Sequence, residues 1–352
     1  MIRRSFASFV FALLPLAFFL SACHRPALYH QESFVFGTRV EILVAGVDET
    51  RARPAVAAVL QEFDRLNRGY HAWRPSPLSD LNSALESGET LEVSDEMAAV
   101  LGEAKRLSAL GDGLFDPGIG RLIAAWGFQS DTFKAELPAP SIVADWRENR
   151  TGIADLWIDG LRVGSRSRRV AIDLGGYLKG YALDRAAAIL RERGIKDALI
   201  NIGGNIMALG GKNGEAWSVG ILHPRQPGPM ATLKLYDGEA IGTSGDYQRF
   251  FELDGQRYCH LLDPRSGEPV THTQALTVLI PPRPGAGALS DMASKPLFIA
   301  GAHWPGLAEK LGVDLVLRVD AAGHITVSPK MRARLEFMSG VPKAAEVPLP
   351  GV

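Results

Sequence analysis

Short polar turns separate the apolar strands in the last third of this chain, and they limit its fold and chemistry more than any other feature. Residues 243–247 read Thr-Ser-Gly-Asp-Tyr, residues 260–267 read His-Leu-Leu-Asp-Pro-Arg-Ser-Gly, and residues 290–291 read Ser-Asp. Each segment alone has the composition of an ordinary turn. In series, their hydroxyls, carboxylates and backbone N–H groups suit a phosphorylated ligand and a hard cation.

The first 22 residues have the composition of an export signal. Arg3 and Arg4 precede an apolar run over residues 6–20, which is too short to span a bilayer comfortably. The run ends in Leu-Ser-Ala-Cys, which is similar to a bacterial lipoprotein signal and predicts lipidation of Cys23. The alternative is an ordinary signal peptide or an uncleaved anchor in which Cys23 has no role. Lipidation predicts a protein anchored to a bacterial membrane and facing the periplasm.

The cysteine count argues against a disulfide, and the charge balance argues against a nucleic-acid partner. Cys259 is the second of two cysteines, and an acylated Cys23 leaves it without a partner, so we expect no disulfide. Residues 1–22 hold two of the 38 Lys and Arg and none of the 39 Asp and Glu, so the mature net charge is 36 minus 39, or −3. The absence of a basic block argues against nucleic acid as a partner.

Hydrophobic periodicity predicts one α+β domain over residues 33–340, after a tether at residues 23–32 and before a loose tail at residues 341–352. Residues 33–44 alternate as strands do, and residues 131–150 have the polar composition of a surface insertion. Helices are predicted over residues 52–66, 92–110, 177–193 and 307–311. Strands are predicted over residues 170–174, 198–202, 217–222, 232–236, 249–253, 276–280 and 314–319.

Paired glycines join the predicted strand at residues 170–174 to the helix that follows. Gly175 and Gly176 allow close approach of a ligand to the backbone, and Lys179 lies in the first helical turn. Such a turn directs N–H groups and the positive end of a helix at an anion. The alternative is a tight α/β connection with Lys179 as a solvated helix residue.

These segments resemble the ApbE family, the exported flavin transferases that move FMN from FAD onto a threonine of another protein. The resemblance implies a T-fold-like α+β architecture, a single two-lobed domain with a flavin-binding cleft. It also implies a threonine-bearing acceptor protein in a membrane redox complex. The matching motifs follow in order through nearly the whole mature chain: residues 36–38, 78–82, 113–117, 126–128, 173–179 with Asp184, 201–205, 243–247 and 260–267.

The resemblance also implies roles for individual residues. The family usually has methionine at the position of Phe36 and tyrosine at that of Trp73, and both replacements still suit packing on a planar ring system. Without the motif context, core packing explains these two residues equally well. The implied FAD contacts are Phe36, Trp73, Leu114, Phe115, Asp116, Asp173, Lys179 and Leu262.

A magnesium ion is implied at the Gly176 carbonyl, Asp291, Ser294 and position 295. A divalent cation there would neutralise the diphosphate and stabilise the AMP leaving group. Asp291 and His260 are both candidates for the base that takes the proton of the threonine hydroxyl. A buried histidine that only orients the following turn is an equal alternative for His260.

Position 295 departs from the family motif, because lysine replaces the threonine ligand. An ammonium group has donors and no acceptor, so Lys295 cannot bind magnesium. Pro296 follows it and predicts that the local helix starts later or kinks. Three outcomes stay open: a looser magnesium at the other three ligands, the ammonium in the cation position, or a protein that binds flavin without catalysis. A pyrophosphatase that splits FAD into FMN and AMP would use the same site.

Overall fold

The computed structural model describes residues 28–130 and 132–351, so the predicted signal peptide, Cys23, Asp131 and Val352 lie outside the described residues. Helices and strands occur in separate runs along this part of the chain, which confirms the α+β class. The strands are β1 (Tyr29–Val35), β2 (Thr38–Ala45), β3 (Leu91–Glu92), β4 (Leu156–Asp159), β5 (Arg162–Ser165), β6 (Asp197–Ile202), β7 (Asn205–Leu209), β8 (Trp217–Leu222), β9 (Pro229–Leu235), β10 (Ala240–Gly245), β11 (Phe250–Leu253), β12 (Gln256–Cys259), β13 (Leu262–Asp263), β14 (Glu268–Pro269), β15 (Thr273–Ile280), β16 (Val316–Asp320), β17 (Ile325–Val327), β18 (Leu335–Phe337) and β19 (Ala345–Glu346).

The first three helices begin where polar side chains cap them. Asp48 accepts a hydrogen bond from Arg51 N at the first helix, and Ser76 forms a reciprocal capping box with Ser79 at the second. Short 3₁₀ segments lie at Ile153–Asp155 and Gly301–His303. The helices are α1 (Glu49–Gly69), α2 (Pro77–Ser87), α3 (Asp95–Leu110), α4 (Gly120–Ala125), α5 (Pro140–Glu148), α6 (Leu178–Glu192), α7 (Ala286–Ala300), α8 (Trp304–Leu311) and α9 (Pro329–Arg332).

A nine-stranded sheet is the centre of the fold, in the order β1-β2-β6-β7-β10-β15-β16-β17-β19. Its neighbouring strands are antiparallel except for β17 and β19, which are parallel. β15 is buried along its whole length, and its residues 275–280 are apolar except for Thr277. β10 lies between β7 and β15 and carries Ser244 opposite Leu276. A central strand therefore holds one of the polar segments.

Apolar cores cover both faces of this sheet. Successive residues of β15 point to opposite sides, so Val278 joins the core under α1, α6 and α7 while Leu279 joins the core under the small sheet β18-β9-β8. A third cluster lies beside them, where Trp126 and Leu262 pack with Phe251 of the β11–β12 hairpin. This third cluster connects the turn at residues 260–267 to α4 and α5.

Helices α6 and α7 approach closely at two glycines. A Cβ on Gly180 would lie 2.2 Å from the Gly287 carbonyl oxygen and 2.6 Å from Asp291 Cβ. A Cβ on Gly287 would lie 2.4 Å from the Gly180 carbonyl oxygen. Asp184 of α6 accepts hydrogen bonds from Gly287 N (2.9 Å) and Ala288 N (2.8 Å), so it caps α7 from the neighbouring helix. These contacts fix the position of Asp291.

Three segments differ from their predicted structure. Residues 170–174 are not a strand, because their backbone groups bond elsewhere. The Asn82 side chain hydrogen-bonds to both the N–H and the carbonyl of Ile172, and Asp173 N donates to the Pro117 carbonyl. Within these described residues, the only β contact is an isolated bridge between Ile119 and Ala171. Residues 243–245 are not a turn but the end of β10, paired with β15. The predicted helix at residue 92 begins instead at Asp95, because Ser94 caps it.

Pro296 does not delay or divide its helix, since α7 runs unbroken from Ala286 to Ala300. Proline in a helix interior costs about 3 kcal/mol, and packing offsets this cost here. α7 is buried on nearly every side, and the Pro296 ring lies against Gly111. Tertiary packing therefore decides this segment over local propensity.

The predicted tether and tail are more ordered than expected. The last four tether residues begin β1, which pairs with β2. In the tail, Ala345 pairs with Thr326 of β17 and Leu349 is buried, since its apolar side chain covers the core. The predicted surface insertion contains α5, whose Trp146 is buried and donates to the Pro264 carbonyl at 2.9 Å. Among the helices of the described ranges, none is both long and apolar enough to cross a bilayer.

The contact between α6 and α7 gives a first prediction. We expect Gly180→Ala to lower the free energy of unfolding by about 2 kcal/mol or more, because the new methyl group forces two packed helices apart. Gly102→Ala in α3 is the matched control, since its Cβ would meet no atom within 4 Å. The control should be stabilising by about 0.5 kcal/mol. Equal midpoints for both variants in urea denaturation would contradict the prediction.

Candidate active site

A buried carboxylate with two lysines is the centre of the polar residues. Asp291 is 0% exposed, and its Oδ2 accepts a hydrogen bond from Gly180 N at 2.9 Å. Lys295 Nζ donates to Asp291 Oδ1 and, at 2.6 Å, to the Asp291 carbonyl oxygen. Lys179 Nζ lies 3.9 Å from the same Oδ1. The group therefore carries two positive charges and one negative charge.

Burial and charge act in opposite directions on the pKa values of this group. Burial disfavours ionisation of Asp291, but the charges of Lys179 and Lys295 outweigh it and hold the pKa of the carboxyl below its ordinary value. Burial lowers the pKa of Lys295 to about 8 in spite of the Asp291 charge. At neutral pH the carboxylate and the Lys295 ammonium are thus both charged.

The turn before α6 forms one side of this group. Asp173 Oδ1 accepts from Gly175 N at 2.9 Å, and its Oδ2 accepts from Gln129 Nε2 at 3.2 Å. Lys179 Nζ donates to the Gly175 carbonyl at 3.1 Å, so this lysine folds back over the turn at the start of the helix. The expected combination of paired glycines, helix N-terminus and lysine is present, although no regular strand precedes it.

Two serines form the opposite side. Ser294 Oγ donates to the Asp291 carbonyl at 2.8 Å, since a carbonyl can only accept. The 2.7 Å contact between Ser244 Oγ and Ser294 Oγ is therefore donated by Ser244. Both serines are fully or almost fully buried. Ser244 was missed as a site residue, although the alternation of β10 places it on the same face as Gly242, which contacts α7.

The resemblance implies a magnesium ion at this position, but the residues present do not fit one. Lys295 Nζ binds the carboxylate oxygen that a metal would need, and it repels a second cation. The aliphatic stem of Lys295 also lies against Gly176, where a Cβ would be 3.3 Å from Lys295 Cε. The Ser294 hydroxyl proton is directed at a carbonyl of its own helix. An ammonium group, not a metal-ligand set, is therefore built into this position.

His260 is half-buried beside the same charges. Its Nδ1 lies 3.1 Å from the Arg249 carbonyl oxygen, so Nδ1 carries the proton and Nε2 holds the lone pair. Burial, followed by the charge of Arg249, lowers the pKa of His260 to about 3, and the charges of Lys179 and Lys295 act in the same direction. The imidazole is therefore neutral at physiological pH.

Two further carboxylates have structural partners. Asp116 Oδ1 accepts from Gly118 N (2.7 Å) and Ile153 N (2.8 Å), and it ties the turn after α3 to the segment before β4. Burial raises the pKa of Asp116 to about 6 in spite of these bonds. Burial likewise raises the pKa of Asp184, the cap of α7, to about 6. Asp184 belongs to one of the matching motifs, but it was not predicted as a site residue. A carboxylate among the apolar residues of a helix is the sequence signal that could have identified it.

The apolar and aromatic candidates occupy several elements around the group. Phe115 lies against Gly176, where a Cβ would be 3.2 Å from its ring. Leu114 is in the main core, and Leu262 is in the third cluster. Phe36 has a left-handed φ of 56° in the β1–β2 turn, with its ring 5.8 Å from that of Phe63.

Trp73 borders a separate groove of about 500 Å³. The groove is also lined by Asp80, Arg121 and Ala171, so it adjoins the segment that leads into the glycine turn. The structure thus brings Phe115, Gly176, Lys179, Asp291, Ser294, Lys295 and His260 together. The other apolar candidates lie elsewhere: Phe36 in the β1–β2 turn, Trp73 at the groove, Leu114 in the main core and Leu262 in the third cluster.

Comparison with known proteins now identifies the family. A profile described as the ApbE family matches residues 36–317. The chain belongs to the ApbE family. An FAD:protein FMN transferase of Rhodobacter capsulatus is 38% identical over 327 residues, which cover 90% of this chain and 62% of that relative. This chain therefore spans less than two thirds of that relative's length.

Other ApbE proteins are also similar to this chain in sequence and in fold. An FAD:protein FMN transferase of Haemophilus influenzae is 31% identical over 285 residues, covering 78% of this chain and 80% of the relative. The crystal structure of the ApbE protein of Thermotoga maritima matches with a TM-score of 0.79 and 30% identity, covering 88% of this chain and 99% of that one. The expected fold class is confirmed.

The raised pKa of Asp116 gives a pH prediction. A carboxyl with a folded pKa near 6 adds stability that is complete below its unfolded pKa and is lost as the pH rises through 6. Relative to Asp116→Asn, which cannot titrate but keeps an acceptor oxygen, the wild type should gain about 1 kcal/mol between pH 7 and pH 5. Urea denaturation at both pH values measures this difference. A difference that is independent of pH would contradict it.

Proposed function

We propose that this ApbE protein is an FAD:protein FMN transferase that attaches FMN to a threonine hydroxyl and releases AMP. The carrying observation is that Lys179 and Lys295 converge on Asp291 beside the Gly175–Gly176 turn. Two ammonium groups against one carboxylate leave a positive surplus, and the N-terminus of α6 adds to it. Such a site favours the diphosphate of a dinucleotide over a neutral ligand. The names of the relatives support flavin as the substrate.

The reaction needs one bond formed and one broken. The threonine oxygen attacks the FMN phosphorus, a new phosphoester bond forms, and the bond between the two phosphates breaks. AMP leaves with the electron pair of the broken bond, and the hydroxyl proton passes to a base. Because little covalent chemistry falls to the protein, positioning and charge stabilisation by Lys179 and Lys295 are its main contributions.

His260 fits the base better than Asp291 does. Both carboxylate oxygens of Asp291 already accept hydrogen bonds, from Gly180 N and from Lys295 Nζ, so Asp291 is a poor proton acceptor. His260 is neutral, with its lone pair on Nε2. Its pKa of about 3 belongs to the protein without FAD, and a bound diphosphate beside the lysines would raise it by supplying negative charge. Asp291 then serves to hold the lysines in place.

Acceptor transfer tests this proposal. Purified protein is incubated with FAD and a threonine-bearing acceptor domain, and the acceptor is weighed by mass spectrometry alongside a threonine-to-alanine copy. We expect an FMN adduct on the first acceptor only, with one AMP released for each adduct. Free FMN and AMP without an adduct would instead establish a pyrophosphatase. FAD that stays bound and intact would establish a flavin-binding protein.

The role of His260 gives a mutational prediction. His260→Ala should lower the rate of FMN transfer about 100-fold, because a general base contributes at least that much, while FAD affinity changes little. His324→Ala is the matched control, since His324 is an exposed histidine paired with Asp320. Rates and FAD affinities are measured for both variants. A His260→Ala enzyme with the wild-type rate would return the assignment to Asp291.

We further propose that Cys23 carries the lipid anchor and that the enzyme faces the periplasm. The support is the charged, apolar and Leu-Ser-Ala-Cys order of residues 3–23. Cys23→Ser should move the protein from the detergent phase to the aqueous phase in detergent partitioning, because the acyl chains are lost. Cys259→Ser, which changes a buried free thiol, should stay in the detergent phase. Aqueous partitioning of the wild type would contradict the anchor.

A further inference from the structure

Lys295 is held as a cation on the carboxylate that defines the site. Its side chain is 12% exposed and Asp291 is fully buried, so the pair is shielded from most of the solvent. The two residues are one turn apart on α7, which keeps them in contact without any loop movement. The long axis of the Lys295 stem rests on Gly176, whose missing side chain makes room for it. The ammonium is therefore positioned by α7 and by the glycine turn.

The donor count of Lys295 leaves one N–H for a ligand. An ammonium has three donors, and two are used by Asp291 Oδ1 and the Asp291 carbonyl. Lys179 Nζ lies on the same carboxylate oxygen and uses one donor on Gly175. A phosphate oxygen placed over the glycine turn would then meet donors from both lysines. Charge-assisted bonds of this kind are about twice as strong as neutral ones.

We propose that Lys295 Nζ is a resident cation that replaces a divalent metal, so that this ApbE protein binds the FAD diphosphate without magnesium. The inference rests on the proposed function, because it concerns how the same site holds FAD. An ammonium supplies one positive charge where a magnesium ion would supply two, so Lys179 becomes the second necessary cation. Binding then depends on the packing of α7 and not on free magnesium concentration.

Two measurements on the full chain test this inference. The first is binding of Mn²⁺ alone, followed by its electron paramagnetic resonance signal. The second is FAD affinity by calorimetry, in EDTA and in excess Mg²⁺. The variants are Lys295→Thr, which restores a hydroxyl oxygen at this position, and Lys295→Met, which keeps the length and removes the charge. Lys330→Thr is the matched control, because Lys330 is an exposed lysine paired with Asp314 on another part of the fold.

We expect the wild type and Lys330→Thr to bind no Mn²⁺ and to bind FAD equally well in EDTA and in Mg²⁺. Lys295→Thr should bind one Mn²⁺ and show magnesium-dependent FAD binding. Lys295→Met should bind FAD about tenfold more weakly in EDTA, because a charge-assisted bond is lost. Should either variant fail to fold by circular dichroism, the wild-type measurements still decide.

Two results would overturn the inference in distinguishable ways. Wild-type protein that binds one Mn²⁺ and needs Mg²⁺ to bind FAD would refute the resident cation and leave the transferase proposal standing. Wild-type protein that binds no FAD in either buffer would refute the proposed function and the inference with it. Equal FAD affinity of Lys295→Met and wild type in EDTA would also refute the role of the ammonium.

Discussion

The contact of α6 with α7 through Gly180 and Gly287 is the constraint on which the site depends. Absence of both side chains lets the two helix backbones touch, and Gly180 N then donates directly to Asp291. Asp184 completes the contact by capping the first turn of α7. A carboxylate can stay ionised in a fully buried position only when donors and cations surround it, and this arrangement supplies both.

Charge balance follows from that geometry. The negative charge of Asp291 offsets the repulsion between Lys295 and Lys179, so both lysines can lie beside it. The lysines in turn keep the carboxylate ionised. Burial, followed by the charge of Arg249, keeps His260 neutral, and the two lysine charges act in the same direction. One buried carboxylate thus sets the placement of two cations. In the proposed function, this preformed charge reduces the cost of reorganisation when the diphosphate binds.

Much of this could be predicted from local pattern. The helix around Val56 and the strand at β8 follow from periodicity, and the glycine turn with Lys179 was expected where it lies. Segments whose partners are distant could not be predicted. Residues 170–174 have the composition of a strand, yet the amide of Asn82, ninety residues away, takes their hydrogen bonds. Pro296 reads as a helix breaker, yet packing of α7 against the sheet and α6 outweighs its local cost.

The order of the motifs by itself determined the family, the α+β class and most of the residues around the site, because turn chemistry and periodicity are local properties that leave a mark in sequence. The surroundings of Lys295 were decided only by the tertiary structure. The sequence left three outcomes open for its ammonium: to turn away, to take the cation position or to abolish catalysis. The position of Gly176 under the Lys295 stem depends on how the turn before α6 packs against α7. Such packing joins residues more than a hundred positions apart, so no local pattern contains it.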